Sequence, residues 1–239
     1  MRVASTDMQN SFGKYLKFAV AGEEIIVTRN GKDIATLNAI MPDTVQEQQA
    51  SYSVTDDWVT YEDFLELTEE SEQHLELIDG VVYNLAAPSY KHQKAVQEIQ
   101  GSFYNWFKGK DCVPLTSPFD ITLPKSADNI CVVQPDVFVI CDKHNMNDKG
   151  KYLGTPALVV EVLSPSTRSK DILKKLELYK LCGVKEYWIV DPIHEQVHVY
   201  LFDDGGIADS ITYTRKADAV VPSFSFEGLT VNLHDMFEL

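Results

Sequence analysis

The sequence predicts an α/β (α+β) protein: a mixed sheet flanked by helices, preceded by a small strand–helix–hairpin unit. Three observations predict it. Apolar runs such as "ALVVEVL" and "CVVQPDVFVI" read as strands buried on both faces, the second interrupted at Pro135-Asp136. Segments of helical period, "YKHQKAVQEIQGSFYNWFKG" and "TRSKDILKKLELYKLCG", alternate with such runs and imply at least one strand–helix–strand crossover. The charge shifts near residue 41: residues 1–40 carry a net +1, which leaves −16 of the total −15 to the rest of the chain.

In chain order, "MRVAS" reads as a short strand. "TDMQNSFGKYLKFAVAG" reads as one helix, with Thr6 as N-cap, Gly22 as stop and an apolar stripe of Phe12, Leu16 and Ala19. "EEIIVTRNGKDIATLNAI" reads as a hairpin turning at Asn30-Gly31. The polar, Gln-rich stretch that follows reads as a linker at 42–57, between a unit at 1–41 and a larger domain at 58–239. A unit of some forty residues buries too little surface to be secure alone, so dimerisation is expected.

The larger domain opens on a helix capped by Thr60, with Asp63 at capping-box spacing. Asp79-Gly80 turns "HLELIDG" into the strand Val81–Leu85. Val96, Ile99, Phe103 and Phe107 give the next helix its core face. "CVPLTSPFDITL" alternates like a strand, and "EYWIVDP" with "QVHVYLF" reads as a closing pair.

With 239 residues and 44% hydrophobic content the chain has room for a sizeable core. No apolar run is long enough to cross a bilayer, and the first ten residues lack the apolar segment of a signal peptide. The four cysteines show no CxxC spacing, which predicts reduced thiols in a cytoplasmic protein. A net charge of −15 argues against a large basic nucleic-acid surface.

The chemistry concentrates in a few carboxylates. Glu161 stands inside an apolar strand, where an ionised group is costly unless paired or bound to a metal. Asp136 stands at the kink of the neighbouring run. Two such acids raise each other's pKa unless a cation lies between them, and oxygen ligands of this kind suit Mg²⁺ or Mn²⁺. At about 100° per residue, Lys175 falls at the edge of the stripe Ile172, Leu176 and Tyr179, within reach of the sheet, and Asp171 shares that edge. Lys180 lies on the other edge. Blander readings stand beside these: an ion pair of Glu161 with Lys175, a turn-initiating Asp136, a solvated Glu76 at a helix end, and a packed His92.

On "VASTDMQNSFGKYL", "EEIIVTRNGKDIATL" and its length, the first unit resembles the N-terminal domain of Phd/YefM-type antitoxins. That resemblance implies a homodimer that docks on DNA, with a possible toxin partner. Gln9 stands where that family carries a basic residue, and a second domain follows in place of a toxin-binding tail. On "TYEDFLEL", "LELIDG", "APSYKHQ", "QPDVFVI", "LVVEVLSPSTRSKD" and "KLELYKLCGVKEYWIVDP", the larger domain resembles the Uma-type restriction-endonuclease family of the PD-(D/E)XK nuclease superfamily. The resemblance implies a restriction-endonuclease-like fold and Mg²⁺- or Mn²⁺-dependent hydrolysis of DNA. It places the metal-binding acids at Glu76, Asp136 and Glu161, with His92 as an accessory residue; Asp171 and Tyr179, on the helix of Lys175, are accessory as its supports. The superfamily's lysine two residues after the second acid is replaced by Leu163, and Lys175 substitutes for it. Two rival expectations remain: an antitoxin-type regulator that binds DNA with an inactive nuclease fold, which the acidity of the second domain favours, and a protein-interaction scaffold.

Overall fold

The computed structural model describes residues 1–20, 24–29, 31–37, 58–71, 73–85, 87–148, 150–164 and 174–238. The expected linker at 42–57 lies outside them. The chain divides into two compact units, Met1–Leu85 and Ala86–Leu239.

In the first unit, β1 (Arg2–Ala4) and β2 (Ile25–Arg29) pair in parallel, and β3 (Lys32–Leu37) joins β2 antiparallel. The connection between the parallel strands is helical but is not the single helix expected. It breaks at Ser11 into α1 (Ser5–Asn10) and α2 (Phe12–Val20), and α1 starts from Ala4 with no side-chain cap, so Thr6 is inside the helix. The break changes the helical phase. Met8, Phe18 and Ala19 face the core with Val3, Ile25 and Val27, so of the expected stripe Ala19 is buried, whereas Phe12 and Leu16 are 53% and 41% exposed. Further along, Thr60 caps α3 (Tyr61–Glu70) by accepting the Asp63 N–H, as its spacing predicts. The hairpin of β4 (Leu75–Ile78) and β5 (Val81–Asn84) turns through Asp79 and Gly80, both at positive φ. A Cβ at Gly80 would collide with the Trp58 ring, so the turn requires glycine on two grounds.

In the second unit, α4 (Tyr90–Phe107) precedes β6 (Val113–Thr116), β7 (Ile121–Ser126), β8 (Asn129–Val133) and β9 (Val137–Ile140). Then come β10 (Leu158–Val162), α5 (Leu176–Leu181), β11 (Glu186–Asp191), β12 (Gln196–Asp203), β13 (Gly206–Thr214), β14 (Val220–Pro222), β15 (Thr230–Asn232) and α6 (Leu233–Phe237). Six strands form a mixed sheet in the order β13-β12-β11-β10-β9-β6. Its one parallel pair, β10 with β11, is joined by α5, the expected crossover. Two expected strands are each two. Ser117-Pro118 separates β6 from β7, and Gln134-Pro135 separates β8 from β9: β7 pairs with β8, while β6 and β9 enter the six-stranded sheet. Nor do β11 and β12 close the fold, since β13 pairs with β12 at the sheet edge.

The alternation of β10 sorts its residues. Leu158, Val160 and Val162 join Val137, Val139, Trp188 and the α4 residues Ala95, Ile99, Phe103 and Phe107 in one buried cluster. Val159 and Glu161 therefore belong to the opposite face of the sheet. Among the described residues, no helix is long and apolar enough to cross a membrane.

The expectation that all four cysteines are free does not hold. Cys112 and Cys141 form a disulfide, and Cys131 and Cys182 are free thiols. β6 and β9 pair antiparallel with Val113 opposite Ile140, so one step further sets Cys112 opposite Cys141. Sequence spacing cannot reveal a pair created by strand register.

Candidate active site

Strand pairing brings the two acids together. β9 and β10 run antiparallel with Val137 opposite Val160. Carried one step past these residues, the register sets Asp136 opposite Glu161, and directly opposed side chains share a face of the sheet. The β6–β9 ladder also ends on Asp136, whose carbonyl accepts the Ser117 N–H at 3.3 Å.

Each acid is held by its own partners. Asp136 Oδ2 accepts the backbone N–H of Val162 at 2.8 Å, and His92 Nε2 stands 3.3 Å from the same oxygen. Ser89 caps α4 by accepting the His92 N–H, which fixes the first turn of the helix where the imidazole departs. Glu161 is 4% exposed, and its Oε1 accepts from Lys175 Nζ and from the Tyr179 hydroxyl, both at 2.7 Å. Lys175 is itself 2% exposed.

Lys175 and Tyr179 are one helical repeat apart, so one face of α5 delivers both. A widened helical turn at Lys174–Lys175 leads into α5, and Gly183, at φ +82°, terminates it. Lys174 is exposed, and Lys180 pairs with Glu177 on the surface at 2.6 Å. Asp171 lies outside the described residues.

The carboxylate of Glu161 thus has partners within the protein. An ammonium and a phenol meet one of its oxygens, so of the two ways to offset its burial the structure shows pairing. Glu76 is not a solvated charge at a helix end; it is fully buried on β4 of the first unit, opposite Tyr83 of β5. His194 bonds to Asp191 and His198 to Thr212. The backbone N–H of Val162 was not foreseen as a partner of Asp136. Counting the β9–β10 register would have found it, once those strands are known to pair.

Chemically the arrangement offers two carboxylates on adjacent strands with an ammonium bonded to one of them. Among the described residues, no group of three or more His, Cys, Asp or Glu side chains is placed to hold a metal. Two carboxylates alone fit a hard divalent ion such as Mg²⁺ or Mn²⁺, which keeps several of its waters. They do not fit zinc, whose structural sites close with four nitrogen or sulfur ligands.

A profile of the Uma2 family, described as "Putative restriction endonuclease", matches residues 61–234. The chain is 30% identical over 146 residues to "Uncharacterized protein slr1290" of Synechocystis sp., an alignment covering 61% of this chain and 75% of that one. It is similar in structure to "a putative nuclease belonging to DUF820" from Anabaena variabilis. There the TM-score is 0.62 at 24% identity, over 75% of this chain and 97% of the other. That likeness shows the fold: mixed α/β, with several sheets and few helices.

Proposed function

Because the chain belongs to the Uma2 family, we propose that it is a divalent-metal-dependent endonuclease hydrolysing phosphodiester bonds in DNA. The observation that carries this reading is the set formed by Asp136, Glu161 and Lys175: two acids at opposed register, one of them bonded to a buried ammonium at 2.7 Å. Asp136 and Glu161 would hold Mg²⁺ or Mn²⁺. Such an ion, when bound, lowers the pKa of its water and offsets charge building up on the phosphate.

The protein's own groups do the rest. The Val162 N–H and His92 fix the Asp136 carboxylate. Lys175, bonded to Glu161, supplies positive charge where the phosphorane forms. Asp171 belongs to the accessory set through its spacing from Lys175. The first unit would act as an antitoxin-like module that dimerises the protein and docks it on DNA. The exposed Phe12 and Leu16, four residues apart on α2, support a self-association face. A dimer supplies two sites for two strands. A toxin partner and a cytoplasmic location belong to the same reading.

The acidity of the chain favours one second reading, a DNA-binding regulator whose nuclease fold does not turn over, since a nuclease channel normally carries positive potential. Incubation with supercoiled plasmid in Mg²⁺ or Mn²⁺, alongside gel-shift binding to its own upstream DNA, separates the two. Metal-dependent nicking that Asp136→Ala abolishes supports the nuclease. Tight binding without nicking supports the regulator.

A further inference from the structure

Glu161 receives two donors on the same oxygen, and they differ in kind. Lys175 ends in a rotatable ammonium on a flexible stem, a point charge that does not by itself define the plane of a carboxylate. Tyr179 is a rigid neutral donor fixed at three places. Its hydroxyl bonds to Glu161 Oε1, and its ring stands edge-on to the Tyr187 ring at a centroid distance of 5.0 Å. Its carbonyl accepts the Val184 N–H at 3.0 Å, within the turn that ends α5. Tyr187 in turn lies on β11, paired with Val159 two residues before Glu161. Sheet, helix end and phenol therefore form one closed frame around this carboxylate.

We infer that Tyr179 is a positioning residue for the metal site: it sets the orientation in which Glu161 presents its carboxylate to the ion, while Lys175 supplies charge. The inference rests on the proposed metal role of Glu161. Groups that hydrogen-bond a metal-ligating carboxylate from behind fix its direction, and their loss costs about 10- to 100-fold in metal affinity. Tyr179 has no charge with which to repel or replace a cation, so its effect falls on affinity.

The test is Mn²⁺ titration by calorimetry on the full chain, with thermal unfolding recorded for each variant. Tyr179→Phe removes only the hydroxyl and is expected to weaken Mn²⁺ binding about tenfold or more. Tyr152→Phe is the control. It also removes a buried hydroxyl, one bonded to Asp142 away from the two acids, and is expected to lower stability and leave Mn²⁺ affinity unchanged. Wild-type affinity in Tyr179→Phe, beside loss of binding in Asp136→Ala, would overturn the positioning role and leave the metal site standing. Equal loss of affinity in Tyr152→Phe would overturn it too, as a general effect of destabilisation. No Mn²⁺ binding by the wild type removes the metal site and the inference together. If Tyr179→Phe does not fold, Tyr179→Met keeps apolar bulk without a donor and makes the same comparison.

Discussion

A buried ion pair responds unequally to losing one partner or both. Lys175→Met leaves the Glu161 carboxylate in an apolar strand without its ammonium. It is expected to cost about 3–5 kcal/mol in urea unfolding, whereas Lys175→Met with Glu161→Leu replaces both charges and returns most of that loss. An equal or larger loss in the double variant would show that the stranded carboxylate is not the source of the cost. In catalysis the roles separate differently. Lys175→Met is expected to retain Mn²⁺ binding and to lower the rate of plasmid nicking at saturating metal by about 100-fold or more, as for loss of a transition-state donor. Nicking at the parental rate would remove Lys175 from the chemistry. The residues themselves were legible beforehand: a carboxylate inside "LVVEVL" stands out by its cost, and helical spacing leads from it to Lys175 and Tyr179.

At the scale of elements, two tethers act across strands. The disulfide between Cys112 and Cys141 ties the edge strand β6 to β9, the strand that follows Asp136. Its ends are 29 residues apart in sequence, so its loss is expected to cost about 3–4 kcal/mol from the freedom returned to the unfolded chain. Guanidinium unfolding with and without reductant measures this, and identical midpoints would show that the bond does not form in solution. The second tether is Glu186, fully buried on β11. It accepts from the Trp188 indole, the Ser223 hydroxyl and the backbone N–H groups of Phe224 and Ser225. Glu186→Ala would strand those donors, so a loss of about 2 kcal/mol or more is expected, with release of the segment before β15 to hydrogen exchange. Protection unchanged in that segment would contradict this. The sequence marks Glu186 only as one more acid before a strand, because its partners lie some 37 residues away.

Across the whole molecule, what the sequence makes legible is what local periodicity controls. α4, β10 and α5 follow from spacing and apolar runs, and the parallel β10–β11 crossover follows from their order. Five features depend on more than that. The break at Ser11 carries no proline or glycine of its own. The passage from β8 to β9 looks like one kinked strand until the partners of each half are known. The strand β13 is mostly exposed on both faces, so no alternation of apolar residues announces it. The disulfide and the Val162 contact to Asp136 come from register between strands, which no single segment encodes. Helical spacing leads to the contact of Lys175 with Glu161, whereas no local spacing pairs Asp136 with either His92 or the Val162 N–H. On the proposed reading, Asp136 and Glu161 together bind a divalent ion beside Lys175. Crystals soaked in Mn²⁺ and measured at the manganese absorption edge test this. An anomalous peak coordinated by oxygens of both carboxylates, lost in Asp136→Ala, is expected. The absence of any peak there, with Glu161 still bonded to Lys175 and Tyr179, would contradict it.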